Sequence, residues 1–128
     1  MATMDEIEKA IIDNWNHLGS GILEPYWADD ATYDAGGPAR GSHYEGKAAI
    51  KAAGARAIGQ MFKIDKVTIH SVIRGKDTIV VQARVEGTSP KSGKPYANEL
   101  CNVYTVKNGK LVHQYEYLDT LASTRALE

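Results

Sequence analysis

The stretch "NELCNVYTVKNGKLVHQYEYLD", residues 98–119, places Asn102, His113, Gln114 and Glu116 where plain strands carry solvent-facing lysines. A carboxylate that faces an apolar cavity is desolvated, which disfavours its charged form and raises its pKa toward the range of a base working near neutrality. A carboxamide facing the same way can donate to an oxygen on which negative charge develops. Asn102, between Cys101 and Val103 in the middle of a strand, is unfavourable by propensity. It is therefore expected to be buried with its polar atoms satisfied, in a catalytic or a structural role. Glu116 is a base if it faces inward and a surface charge paired with a lysine if it faces outward, so strand register decides between the two.

Other chemistries find little support. His17, His43, His70 and His113 show no paired metal-ligand spacing and the single cysteine adds none, so no metal is expected. Gly36, Gly37 and Gly41 do not form a G-x-G-x-x-G turn between strand and helix, and no cofactor is indicated. Cys101 permits no internal disulfide and reads as a small buried hydrophobe rather than a nucleophile. Asp29, Asp30 and Asp119 read as turn and cap residues, and Asp34 as a residue on the alternate strand face. His43 and Tyr44 fall in a loop, at a pocket rim or in solvent.

The elements that must position these groups come from periodicity. Thr3 and Glu6 form a T-x-x-E capping box, followed by Ile7, Ile11, Trp15 and Leu18 at helical spacing until Gly19. A brief helix is expected over 23–27 and a strand over 31–35, then a loop over 37–46. From Lys47 to Phe62, Ile50, Ala53, Ala57, Ile58 and Met61 make a second apolar stripe, with Gly54 and Gly59 each costing about 1 kcal/mol against alanine and letting the helix lie close to a sheet. Strands follow over 63–73 and 78–88, where Ile79, Val81, Ala83 and Val85 alternate with Gln82, Arg84 and Glu86. The opening stretch supplies the last two long strands, and Asp119 caps a final helical turn. Helices before a run of antiparallel strands argue for an α+β domain, with a bent sheet capped on one face and enclosing a cavity.

At 128 residues the chain is one domain, read as 1–126, with Leu127 and Glu128 compatible with a vector scar. With 15 Lys+Arg against 16 Asp+Glu and no basic cluster, no nucleic-acid partner is expected. The acidic start and short apolar runs give neither a membrane span nor a secretion signal, and a cytosolic location is expected. Val103, Thr105, Leu111, His113, Tyr115 and Tyr117 form a face too apolar for solvent and suited to a two-fold interface.

"ADDATYDAGG", "YEGKAAIKA" and "VYTVKNGKLVHQYEYLD", in that order, resemble the nuclear transport factor 2-like superfamily, which includes ketosteroid isomerases, SnoaL-like polyketide cyclases and limonene epoxide hydrolases. The resemblance covers nearly the whole chain. It implies a cone-shaped α+β fold, a curved mostly antiparallel sheet around a deep apolar pocket, a small apolar ligand and a homodimer, but no single activity. The turn "NGK" is similar to the family's "DGK" turn, commonly of the bulged kind. That favours a three-residue loop over Lys107-Asn108-Gly109, with Asn102 opposite Gln114 and Leu100 opposite Glu116. Asn102, Tyr104, Gln114, Glu116 and Leu118 then share one face. A two-residue turn at Asn108-Gly109 would instead pair Asn102 with Tyr115 and leave Glu116 on the other face.

On the chosen register the resemblance puts Asn102 where ketosteroid isomerases keep an oxyanion-stabilising acid, and Glu116 where the cyclases keep their aspartate base. Tyr33 would add a second hydrogen bond, although Tyr33 and Tyr104 also read as core aromatics with tethered hydroxyls. Ala35 replaces both the asparagine of the epoxide hydrolases and the aspartate base of the ketosteroid isomerases. Trp15, Tyr26, Trp27, Leu100, Tyr104, Gln114 and Leu118 are expected to wall the pocket with Ala35. The leading expectation is a cofactor-free isomerase or cyclase acting on a small apolar carbonyl compound. Its rivals are an epoxide-hydrolase-like enzyme and a non-catalytic pocket or assembly module.

Overall fold

The computed structural model describes residues 1–36 and 42–128. The helix α1 spans Met4–Asn16, and Thr3 accepts from the Glu6 backbone N–H at 3.1 Å, as the capping box requires. Its apolar stripe buries Ile7, Ala10, Ile11 and Trp15. A single 3-10 turn, Glu24–Tyr26, leads into β1 (Trp27–Ala35), which is longer than the strand expected. The loop expected over 37–46 is in part a strand, β2 (Ser42–Glu45), whose four residues alternate half-buried and exposed; residues 37–41 lie outside the described residues. The helix α2 spans Lys47–Ala57, short of Phe62, because the backbone turns extended at Ile58 and Gly59 takes a φ of +112°.

The long strands are β3 (Lys63–Arg74), β4 (Thr78–Thr88), β5 (Pro95–Lys107) and β6 (Lys110–Leu118), and α3 spans Thr120–Leu127. Asp119 caps α3 by accepting from the Ala122 N–H at 3.0 Å. The sheet runs β2-β1-β6-β5-β4-β3, with β1 and β6 parallel and its other pairs antiparallel. The concave face carries Ile79, Val81, Ala83 and Val85 of β4 against Ile7, Ile11 and Trp15, forming the core. Where β3 folds over the end of β4, a Cβ on Gly87 would fall on the backbone of Lys63 and Ile64, so only glycine permits that bend. Gly54, by contrast, has nothing within 4 Å of where its Cβ would be, so it does not serve close packing against the sheet.

The last hairpin follows neither register expected. Asn108 and Gly109 have φ of 51° and 70°, so they form the two-residue turn of mirror-image type. A bulge between the pairs Val106↔Leu111 and Thr105↔His113 leaves Val112 as the extra residue on β6. Asn102 therefore faces Glu116, Tyr104 faces Gln114 and Leu100 faces Leu118. The extra residue restores the parity that a plain two-residue turn loses, and Leu100, Asn102, Tyr104, Gln114, Glu116 and Leu118 share the concave face as expected. The bulge also turns Leu111 into the core, fully buried, rather than onto the convex face.

Candidate active site

Beneath α2 the bent sheet encloses a cavity of about 440 Å³. Strand pairing sets its floor as a row across three strands: Glu116 of β6 lies between Asn102 of β5 and Ala35 of β1, and Tyr33 of β1 lies beside Gln114. Directly opposed residues bring their Cβ atoms to about 5 Å, so these side chains meet.

Burial raises the Glu116 carboxyl above its ordinary value near 4.5, against the smaller opposing pull of the Asn102 amide and the Tyr33 hydroxyl. Burial, with the Glu116 charge beside it, also raises Tyr33, which stays protonated and able to donate. Tyr104 is raised by burial too and is fixed from two sides, by Trp15 Nε1–H at 3.0 Å and Gln114 Nε2–H at 3.3 Å. Gln114 Nε2 also donates to Asn102 Oδ1 at 2.6 Å. That bond orients the carboxamide. Asn102 is fully buried, and its Nδ2 lies near enough to Glu116 to lower the carboxyl's pKa but completes no hydrogen bond of its own. A buried donor without a partner costs about 1–3 kcal/mol.

A second polar cluster closes the far end. Asn98 donates to the Asp119 carbonyl at 2.9 Å and accepts from the Asp119 N–H at 3.0 Å, clamping α3 onto β5. Its Nδ2 also reaches Tyr96 Oη and Ser123 Oγ, and both of those residues line the cavity. At the mouth, Arg56 donates to Tyr44 Oη at 2.7 Å, the Tyr44 ring centre lies 6.0 Å from that of Tyr33, and Lys51 pairs with Glu24 at 3.1 Å.

Of the residues expected in the pocket, Trp15, Trp27, Tyr33, Ala35, Leu100, Tyr104, Gln114, Glu116 and Leu118 line the cavity, and Asn102 lies buried in its floor. Tyr26 does not line it; at the end of the 3-10 turn it packs on the edge of the core instead. Ala35 stands opposite Glu116 without a polar atom, so a water-activating site would lack the asparagine that the epoxide hydrolases keep. Tyr44 lines the cavity while its neighbour His43 faces away. Cys101 is only half-buried, on the convex face. Asn98 and Ser123 were not anticipated, although Asn98 precedes Asn102 by four residues on one strand face and that spacing points to it. The α2 cations Lys47, Lys51 and Arg56, which the sequence reading missed, line the cavity too, interleaved with Ile50, Ala53 and Ala57 of the same helix.

On the convex face Asp34 bonds His43 Nδ1 at 2.6 Å and His113 Nε2 at 2.9 Å. These hydrogen bonds, His113 first, hold its carboxyl below the ordinary value near 3.8. Among the described residues, no group of His, Cys, Asp and Glu could hold a metal ion, and no helix is long and apolar enough to cross a membrane.

Solved structures of similar fold are numerous. An NTF2-like protein from Burkholderia thailandensis superposes with a TM-score of 0.86 at 20% identity, over 100% of this chain and 99% of that one. A protein from Mesorhizobium loti, provisionally described as a SnoaL-like polyketide cyclase, gives 0.75 at 24% identity over 90% and 98% of the two chains. One from Rhodopseudomonas palustris, provisionally described as an isomerase, gives 0.73 at 22% over 94% and 91%. At these identities the likeness establishes the α+β NTF2-like fold. No curated protein matches the chain. The model of the SnoaL-like domain, however, matches residues 9–114, from within α1 to the Gln114 that orients Asn102, and with most of its length matched the chain belongs to that family.

Proposed function

We propose that the protein is a cofactor-free isomerase or cyclase that moves a proton on a small, largely apolar carbonyl compound. Glu116 takes the proton from the carbon next to the carbonyl, and the electron pair of that C–H bond moves onto the carbonyl oxygen as an enolate. The enolate oxygen accepts from Tyr33 O–H and Asn102 Nδ2–H. Glu116, now protonated, returns the proton to another carbon of the enolate where a double bond is conjugated with it, or the enolate carbon attacks a second carbonyl carbon within the substrate and closes a ring, the electron pair of that C=O moving to its oxygen, which takes the proton from Glu116. The observation that carries this reading is the unpartnered Asn102 Nδ2, held by Gln114 beside a buried carboxyl of raised pKa. Family membership and the isomerase and cyclase descriptions of structural relatives support the same class.

The test is hydrogen–deuterium exchange at the α-carbons of a panel of cyclic and aromatic ketones, followed by NMR. The parent protein should catalyse exchange of at least one ketone, and Glu116→Gln should lower the rate by about 10²–10⁴. Exchange that persists undiminished in the variant overturns Glu116 as the base. A non-catalytic binding role has one observation in its favour, since the Tyr33 hydroxyl and the Asn102 amide are turned toward Glu116 itself and lower its pKa. It predicts a ligand that stabilises parent and variant equally, with no exchange in either.

The working form is a two-fold dimer through the convex face, where Tyr115 and Tyr117 stack with ring centres 4.4 Å apart and Tyr117 and Ile73 are more than half exposed. Light scattering at micromolar concentration should give twice the monomer mass, and Tyr117→Ser should shift it toward the monomer. A monomeric parent rejects this assembly.

A further inference from the structure

The mouth of the cavity carries a charge pattern that proton transfer on an apolar carbonyl compound does not require. The whole of α2, "KAAIKAAGARA", holds Lys47, Lys51 and Arg56 and no acid, and all three cations line the cavity. Lys51 is paired with Glu24. Among the described residues, Lys47 and Arg56 form no ion pair. Lys47 is half-buried, and Arg56 is exposed and tied to a neutral phenol, which orients its guanidinium without neutralising it. The Arg56 guanidinium also lies over the Tyr44 ring, 5.9 Å from its centre. Through Tyr44 it is linked to Tyr33, and so to the floor where Glu116 sits.

We infer that the substrate of this site carries an anionic group, a carboxylate or one of similar chemistry, held at the rim by Lys47 and Arg56. The inference rests on the proposed proton transfer for the position of the carbonyl, but recognition of the anion needs only the rim. The arrangement orients the ligand in one sense. An anion is drawn to the cationic rim and repelled by the Glu116 carboxylate, so the apolar body enters with its carbonyl end toward Asn102 and Tyr33. Guanidinium and carboxylate also match as a planar pair, which favours a carboxylate over a diffuse negative field.

The probes are α-tetralone and the same ketone bearing a carboxylate on its aromatic ring, with dissociation constants measured by calorimetry at low salt. The carboxylate should bind about tenfold more tightly than the neutral ketone, the scale of two partly exposed charge pairs. That preference should fall to near unity in Lys47→Gln/Arg56→Gln, and it should shrink as salt rises to about 0.5 M. In Lys63→Gln/Lys66→Gln, on β3 and outside the cavity lining, it should persist unchanged. Equal affinities, weaker binding of the carboxylate, binding of neither ketone, or a preference that survives in the rim variant would overturn the inference. Glu116→Gln separates the two readings. A retained preference for the carboxylate with undiminished α-proton exchange defeats the catalytic role and leaves the rim standing, whereas exchange lost in Glu116→Gln without any parent preference defeats the rim alone.

Discussion

Asp34 and Glu116 lie on neighbouring strands, one residue out of step: β1 pairs Asp34 with Tyr115 and Ala35 with Glu116. They are the same functional group with opposite electrostatics. Glu116 faces the cavity, where burial outweighs its donors and raises its pKa; Asp34 faces the convex side, where two histidines bond it and lower its pKa. The acid–base character of each is thus set by which face of one sheet it occupies, and for Glu116 the face depends on the bulge that leaves Val112 unpaired.

The comparison is broken most directly from the floor of the cavity, where Asn102 stands opposite Glu116. Asn102→Leu leaves Glu116 in place but removes the donor beside it. It should cost about 2.7–4 kcal/mol of transition-state stabilisation in the exchange assay, with the melting temperature kept or raised because an unpaired buried polar group is gone. Lost stability with unchanged turnover would assign Asn102 a structural role.

The sharpest version of the comparison is pH dependence, because the two carboxylates should respond with opposite sign. The raised pKa of Glu116 means that its contribution to stability is fully present below about pH 4.5, its ordinary value, and is lost as pH rises through the folded value. Glu116→Gln should therefore gain on the parent as pH rises through that window, measured by chemical denaturation. The lowered pKa of Asp34 means that its contribution is present above its ordinary value near 3.8 and is lost as pH falls through the folded value. Asp34→Asn should thus be less stable than the parent near neutrality and lose that deficit in acid. The effect should stay within about 1 kcal/mol, because the pair is largely solvated. Shifts of the same sign for both variants would refute the assignment of the two faces.

Most of the fold was legible because its causes are local. The capping box at Thr3 and the spacing of Ile7, Ile11 and Trp15 dictate α1, and alternation through Ile79, Val81, Ala83 and Val85 dictates β4. The short strand β2 was not legible, since "SHYE" has no apolar run and becomes a strand only by pairing with β1. The hairpin register failed for a related reason. A bulge is selected by how β6 must lie against both β1 and β5, and nothing in "NGKLVHQ" marks Val112 as unpaired. Inward Glu116 and Asn102 were still found, because parity depends on the sum of turn and bulge, and the residue types on each face reveal that sum. Tyr26 was misplaced because an aromatic beside Trp27 looks the same whether it walls a pocket or seals the core edge.

The strand order has a consequence for synthesis. Strand β6 is the last strand in the chain, yet it sits inside the sheet, between β1 and β5. Until residue 118 has left the ribosome, the sheet exists as two separate pieces, β2-β1 and β5-β4-β3, each with an open edge where β6 will lie. The segment that joins them also delivers Glu116. A nascent chain paused before this segment presents two pairing-competent edges and no carboxylate in the cavity, and it depends on prompt completion, or on a chaperone, to avoid pairing with another chain. The protein therefore acquires its proposed reactive group and closes both of these open edges in the same step of its synthesis.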